Sequence, residues 1–93
     1  MLKQNILEAA SAIVRRYGLE NLTRVDVAGL VGCGAGTINY HFKTMSKLRS
    51  AIISHAITGE DGLVLAHFAG DPRIMGRLTP ALKERVAAHI AGK

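Results

Sequence analysis

The chain has no tryptophan, a single cysteine and only four aromatic residues among its 93: Tyr17, Tyr40, Phe42 and Phe68. The lone Cys33 excludes an internal disulfide framework and suits a reducing compartment. No C-x-x-C or H-E-x-x-H is present, and His41, His55, His67 and His89 are spread too widely for a metal motif, so no metal is expected. No nucleophile elbow, phosphate-binding loop or paired carboxylates at suggestive spacing occurs, which predicts no enzymatic activity and no cofactor. No apolar run approaches the ~20 residues that span a bilayer. Met1 to Tyr17 is amphipathic and interrupted by Lys3, Glu8, Arg15 and Arg16, unlike a signal peptide. A cytoplasmic protein with no membrane partner is expected.

Negative charge is also scarce. Seven Asp and Glu stand against twelve Lys and Arg, for a net charge of +5. The excess is uneven: residues 1–58 hold seven basic against three acidic side chains, residues 59–93 five against four. A basic face attracts polyanions and makes binding salt-dependent, although mere solubility is the plainer reading and a modest excess alone favours DNA only weakly.

What the chain does contain is helical periodicity. Ile6, Leu7, Ala10, Ile13, Val14 and Tyr17 recur at helical spacing, and Gly18 is a natural stop. Leu19 and Leu22 are expected to close the following loop over the core. Thr23 is a good N-cap, with Asp26 three residues on. Val27, Ala28, Leu30 and Val31 give this second helix an apolar side, and Gly32 ends it. Cys33 falls where a small apolar plug fits the turn, and Gly34 opens a third helix near 35–42 with Ile38 and Phe42 inward. Thr44 caps a fourth helix with Leu48, Ala51, Ile52, His55 and Ala56 inside, ending near Gly59. Leu63 to Phe68 is apolar nearly all round. Pro72 to Gly76 suggests a short helical turn. Thr79, Pro80 and Gly92 frame a last helix, on which Leu82, Val86 and Ile90 continue a strip begun by Leu78. No strand or internal repeat is evident.

Two capped short helices joined by a glycine-containing turn read as a helix-turn-helix. On this reading the third helix presents Ala35, Gly36, Thr37, Asn39, Tyr40 and His41 to a major groove, where side chains reach phosphates or base edges. Thr23, Arg24, Lys43 and Lys47 flank that helix as candidate backbone contacts, which position the protein without reading sequence. Each also has a plainer reading: Thr23 as a cap, Arg24 as a solvated side chain, Thr37 as an exposed helix residue, His41 as a half-buried spacer beside Phe42.

These residues resemble the DNA-binding domain of TetR-type repressors. The resemblance covers roughly residues 4 to 57. Thr23, Asp26, Val27 and Ala28 match the second helix; Gly32, Gly36, Thr37, Ile38, His41 and Phe42 match the third; Thr44 matches the cap of the fourth. The run Gly36-Thr37-Ile38 followed by His41-Phe42 is the sharpest part. Asn39 replaces the family's usual phosphate-touching Tyr, Met45 stands where a phosphate-binding Lys is frequent, and Gly34 and Ala35 replace longer polar residues. The resemblance implies an all-α fold: a homeodomain-like three-helix helix-turn-helix domain over 1–58, with short C-terminal helices over 59–93. It implies a sequence-specific regulator of transcription, most simply a repressor, bound to double-stranded DNA. A homodimer is expected, with Leu63, Leu65, Phe68, Leu78, Leu82, Val86 and Ile90 as its interface; the competing reading folds them back as extra core. The tail is short beside the family's ligand-binding domain, so no small-molecule inducer is expected. A DNA-organising adaptor in packaging or replication, and a helix-turn-helix serving protein interaction, remain alternatives.

Overall fold

The computed structural model describes residues 2–74 and 76–91, and these form helices without a strand. The first helix, α1 (Leu2–Tyr17), is followed by a 3₁₀ turn at Leu19–Asn21. Then come α2 (Arg24–Val31), α3 (Ala35–His41), α4 (Met45–Thr58), α5 (Gly62–Ala66), a 3₁₀ turn at Pro72–Ile74, and α6 (Pro80–Ala91).

Helix starts follow local chemistry. The Thr23, Thr44 and Thr79 hydroxyl oxygens accept from the backbone N–H of Asp26, Lys47 and Leu82, at 3.1, 3.1 and 3.2 Å. Each satisfies a donor that the first turn leaves without an intrahelical partner. Asp61 does the same for Val64, at 3.2 Å. Gly32 ends α2 in the left-handed region at φ 86°, which glycine adopts without a Cβ penalty. At the end of α4, Gly59 keeps a negative φ and Glu60 takes the left-handed conformation instead, at φ 54°. Gly92, expected to end α6, lies outside the described residues.

One hydrophobic core runs through the described residues. Ile6, Ala10, Ile13 and Val14 of α1 meet Val27 and Ala28 of α2, Ile38 of α3, and Leu48, Ile52, Ile53 and Ala56 of α4. Val64, Leu65, Phe68, Ile74, Leu82 and Val86 belong to the same core. Beyond residue 58, α5 packs against α1 and α4, and α6 packs on α5. Arg15 of α1 forms an ion pair with Asp61 at the start of α5. Arg85 reaches the Glu60 carbonyl oxygen at 3.3 Å.

This packing corrects part of the expected dimer interface. Leu65, Phe68, Leu82 and Val86 are buried inside their own chain, so their apolar surface is already removed from water and unavailable to a partner. Leu63 and Leu78 are half-buried, and Ile90 is exposed. Two faces expected to be inward are not. Tyr17 is 61% exposed and Leu30 64%. On α2 the positions at helical spacing are Arg24, Val27, Ala28 and Val31. Leu30 falls off that stripe and Val25 with it, 71% exposed. Tyr17 shares the inward side of α1, but it lines an open groove between α1 and α2 together with Val25, Gly29 and Leu30.

Candidate nucleic-acid interface

The candidate site occupies one continuous stretch, from the cap of α2 to the first turn of α4. Gly32, Cys33 and Gly34 connect α2 to α3. The N–H groups of Gly32 and Cys33 both donate to the Ala28 carbonyl oxygen, at 2.8 and 3.0 Å, which closes α2 tightly. Cys33 is half-buried against the core, as a turn plug would be. Gly34 caps α3 without a side chain, so no side-chain oxygen covers the first N–H groups of that helix. Ile38 is wholly buried and Phe42 nearly so, and these two side chains fix which side of α3 faces outward.

With Ile38 and Phe42 inward, Gly36 and Tyr40 fall on the opposite side, one helical turn apart. Gly36 and Asn39 are exposed, and Tyr40 is 76% exposed. Ala35, Thr37 and His41 are half-buried. His41 lies beside the core-facing side of α3, and its ring meets Tyr40 edge-on, with centroids 5.3 Å apart at 85°. That contact limits the rotamers open to Tyr40. No Cβ built at Gly36 meets an atom within 4 Å, so the surface beside Tyr40 is open.

The flanking polar residues surround this helix in sequence. Thr23, Lys43 and Lys47 are exposed, and Arg24 is half-buried. Thr23 spends its hydroxyl oxygen as an acceptor in the cap, which leaves its O–H proton free to donate. The Nε atoms of Arg24 and Arg49 are buried and have no hydrogen-bond partner. An orphaned cationic donor of this kind is costly to bury and is eased by an anionic or water acceptor.

Sequence reasoning did not single out Arg49 or Lys3. The Lys3 ammonium lies 5.6 Å from the centre of the Phe42 ring, which brings a further cation to the end of α3, next to Lys43. The only signal in the sequence was the basic excess of residues 1–58, which does not say which cations converge. Met45 packs partly against the core and provides no cation.

The arrangement offers a short exposed helix with hydrogen-bonding side chains, with Lys3 of α1 over the Phe42 ring at its end and Lys43 directly after it in the chain. Such a surface can contact phosphates from its rim and base edges from its centre. Among the described residues there is no cluster of three or more His, Cys, Asp or Glu that could hold a metal ion. No helix is long and apolar enough to cross a membrane. Comparison with protein-family models, with curated proteins and with solved structures found no match.

Proposed function

We propose that the protein is a sequence-specific double-stranded-DNA-binding regulator of transcription, acting as a repressor by occluding polymerase. The observation that carries this reading is the outward face of α3, where Tyr40 stands exposed opposite the buried Ile38 and Asn39 is exposed beside it. In this reading α3 enters the major groove. Asn39 donates to and accepts from an adenine edge or bonds a phosphate, and Tyr40 lies along the sugar–phosphate edge. Thr37 touches a phosphate or a thymine methyl group. Lys43 and Lys47, with Lys3 and Arg24, neutralise phosphates around it. The Thr23 hydroxyl, at the N-terminus of α2, adds a neutral donor to the backbone.

The reading includes a homodimer on a palindromic site, with half-sites ~34–36 Å apart. Leu63 and Ile90 keep apolar surface that a second copy could cover; the buried Leu65, Phe68, Leu82 and Val86 take no part.

Selection from a random duplex library tests this directly. A common half-site should emerge after several rounds, repeated as a palindrome, and Asn39→Ala should relax the preference at one or two positions. A library that stays random through selection would remove the regulator reading and favour a DNA-organising or protein-binding role.

A further inference from the structure

Three large hydrophobic side chains that the core does not absorb, Tyr17, Val25 and Leu30, line one surface groove. The groove lies between α1 and α2, holds about 720 Å³, and has Ile13 in its lining. Gly29 leaves it open, since a Cβ built there meets nothing within 4 Å. A smaller hollow continues it on the far side of Leu30, where Glu8 and Ala9 of α1 form the wall. Along α1 the lining therefore runs through Ala9, Ile13 and Tyr17, one stripe of about 12 Å at 1.5 Å per residue, with Glu8 at the outer edge of the smaller hollow. Exposed apolar surface concentrated in this way marks an interaction site.

Charge says what the occupant is. Residues 1–58 contain three carboxylates, Glu8, Glu20 and Asp26; Asp26 lines the groove and Glu8 lines the smaller hollow that adjoins it at Leu30. No Lys or Arg lines it among the described residues. Arg16 stands at one end, over the Tyr17 ring at 5.7 Å. In a chain of net charge +5 this apolar strip with acidic walls is the wrong surface for a polyanion. It suits an apolar face flanked by cations. The described residues form no strand, hence no sheet edge for an extended peptide to join, and a channel between two helices is the shape that receives a third.

We propose that the α1–α2 groove docks a cationic amphipathic helix of a protein partner, with Leu side chains at helical spacing on Ile13, Val25 and Leu30 and Lys or Arg beside Glu8 and Asp26. The groove shares no residue with the outward face of α3, and the proposal does not depend on DNA binding.

The test uses the full chain and two labelled 18-residue model helices. Both carry Leu at i, i+3, i+4 and i+7; one has Lys on its other positions and the other has Glu. Fluorescence anisotropy should show the Leu/Lys peptide binding one-to-one and at least tenfold tighter than the Leu/Glu peptide, against the direction that the net charge would impose. Leu30→Gln should weaken binding about tenfold. Gly29→Gln should do the same by filling the groove, and its helix content should be unchanged or higher, because Gln is the better helix former. Glu8→Gln should lower affinity for the Leu/Lys peptide alone. The proposal is overturned if neither peptide binds, if the Leu/Glu peptide binds as well, or if the variants bind like the parent. Sedimentation provides the other decisive outcome: a dimer that Leu30→Gln converts to monomer would place a second copy in the groove.

Discussion

Ser11 is a polar residue buried in the core, and its hydroxyl has no hydrogen-bond partner. Serine is also a poorer helix former than alanine. Ser11→Ala should therefore raise stability by about 1 kcal/mol, read as a higher urea midpoint with an unchanged slope. A lower midpoint would mean that the hydroxyl does find an acceptor. The threonine caps give the opposite sign. Thr23→Ala and Thr44→Ala should each cost about 1 kcal/mol, while Thr→Ser at the same positions should cost much less. Thermal unfolding of the four variants checks both statements, and equal losses for Ala and Ser would show that the hydroxyls are not what matters. These caps were legible in the sequence because a cap is a local arrangement of a few residues. The exposure of Tyr17 was not. Its spacing places it on the inward side of α1, yet it lines the open groove between α1 and α2 and stays exposed.

At the scale of elements, the positions of the helices followed from punctuation: Gly18, Gly32, Gly34 and Gly59, with the three threonines. Which face of a short helix is buried followed less well. On α2, apolar residues at 25, 27, 28, 30 and 31 surround most of the axis, so hydropathy alone does not choose a side. The choice is made by α1 and α3, which take Val27 and Ala28 and leave Val25 and Leu30 outside. The α5–α6 crossing was also hidden in the sequence. A Cβ at Gly62 would meet the Arg85 Cβ at 2.9 Å and the Arg85 carbonyl carbon at 3.3 Å. The helices approach that closely because position 62 has no side chain. Gly62→Ala should cost about 1–3 kcal/mol through overpacking, even though alanine favours helix. Chemical denaturation would show the loss. An alanine variant as stable as the parent would mean that α6 shifts freely, and that the tail packs more loosely than its buried Leu82 and Val86 indicate.

For the whole molecule, the apolar tail admitted two readings from sequence, and burial separates them for four residues. Leu65, Phe68, Leu82 and Val86 complete a core that the first four helices share. A strip of leucines and valines at four-residue spacing looks the same whether it faces its own chain or another. A chain of this length has much surface for its volume, and retaining those residues increases the fraction it can bury. Charge is distributed on the same scale. Lys3 of α1 reaches the end of α3 at Phe42, and two of the three carboxylates of the first 58 residues, Glu8 and Asp26, line hollows between α1 and α2. The folded chain therefore offers two chemically distinct surfaces: a hydrogen-bonding one on α3, where Asn39 and Tyr40 are exposed, and an apolar one between α1 and α2 with Asp26 in its wall.

Binding of duplex DNA by the surface around α3, as proposed, is decided by titrating labelled duplex at several salt concentrations. The parent chain should bind with log K falling linearly in log salt. A Lys43→Ala, Lys47→Ala chain should show a slope shallower by about 2, since each phosphate contact contributes about 0.9. Tyr40→Ala should weaken binding while leaving the slope nearly unchanged, because it removes no charge. Absence of binding at low salt, or an identical slope after loss of both lysines, would contradict the account.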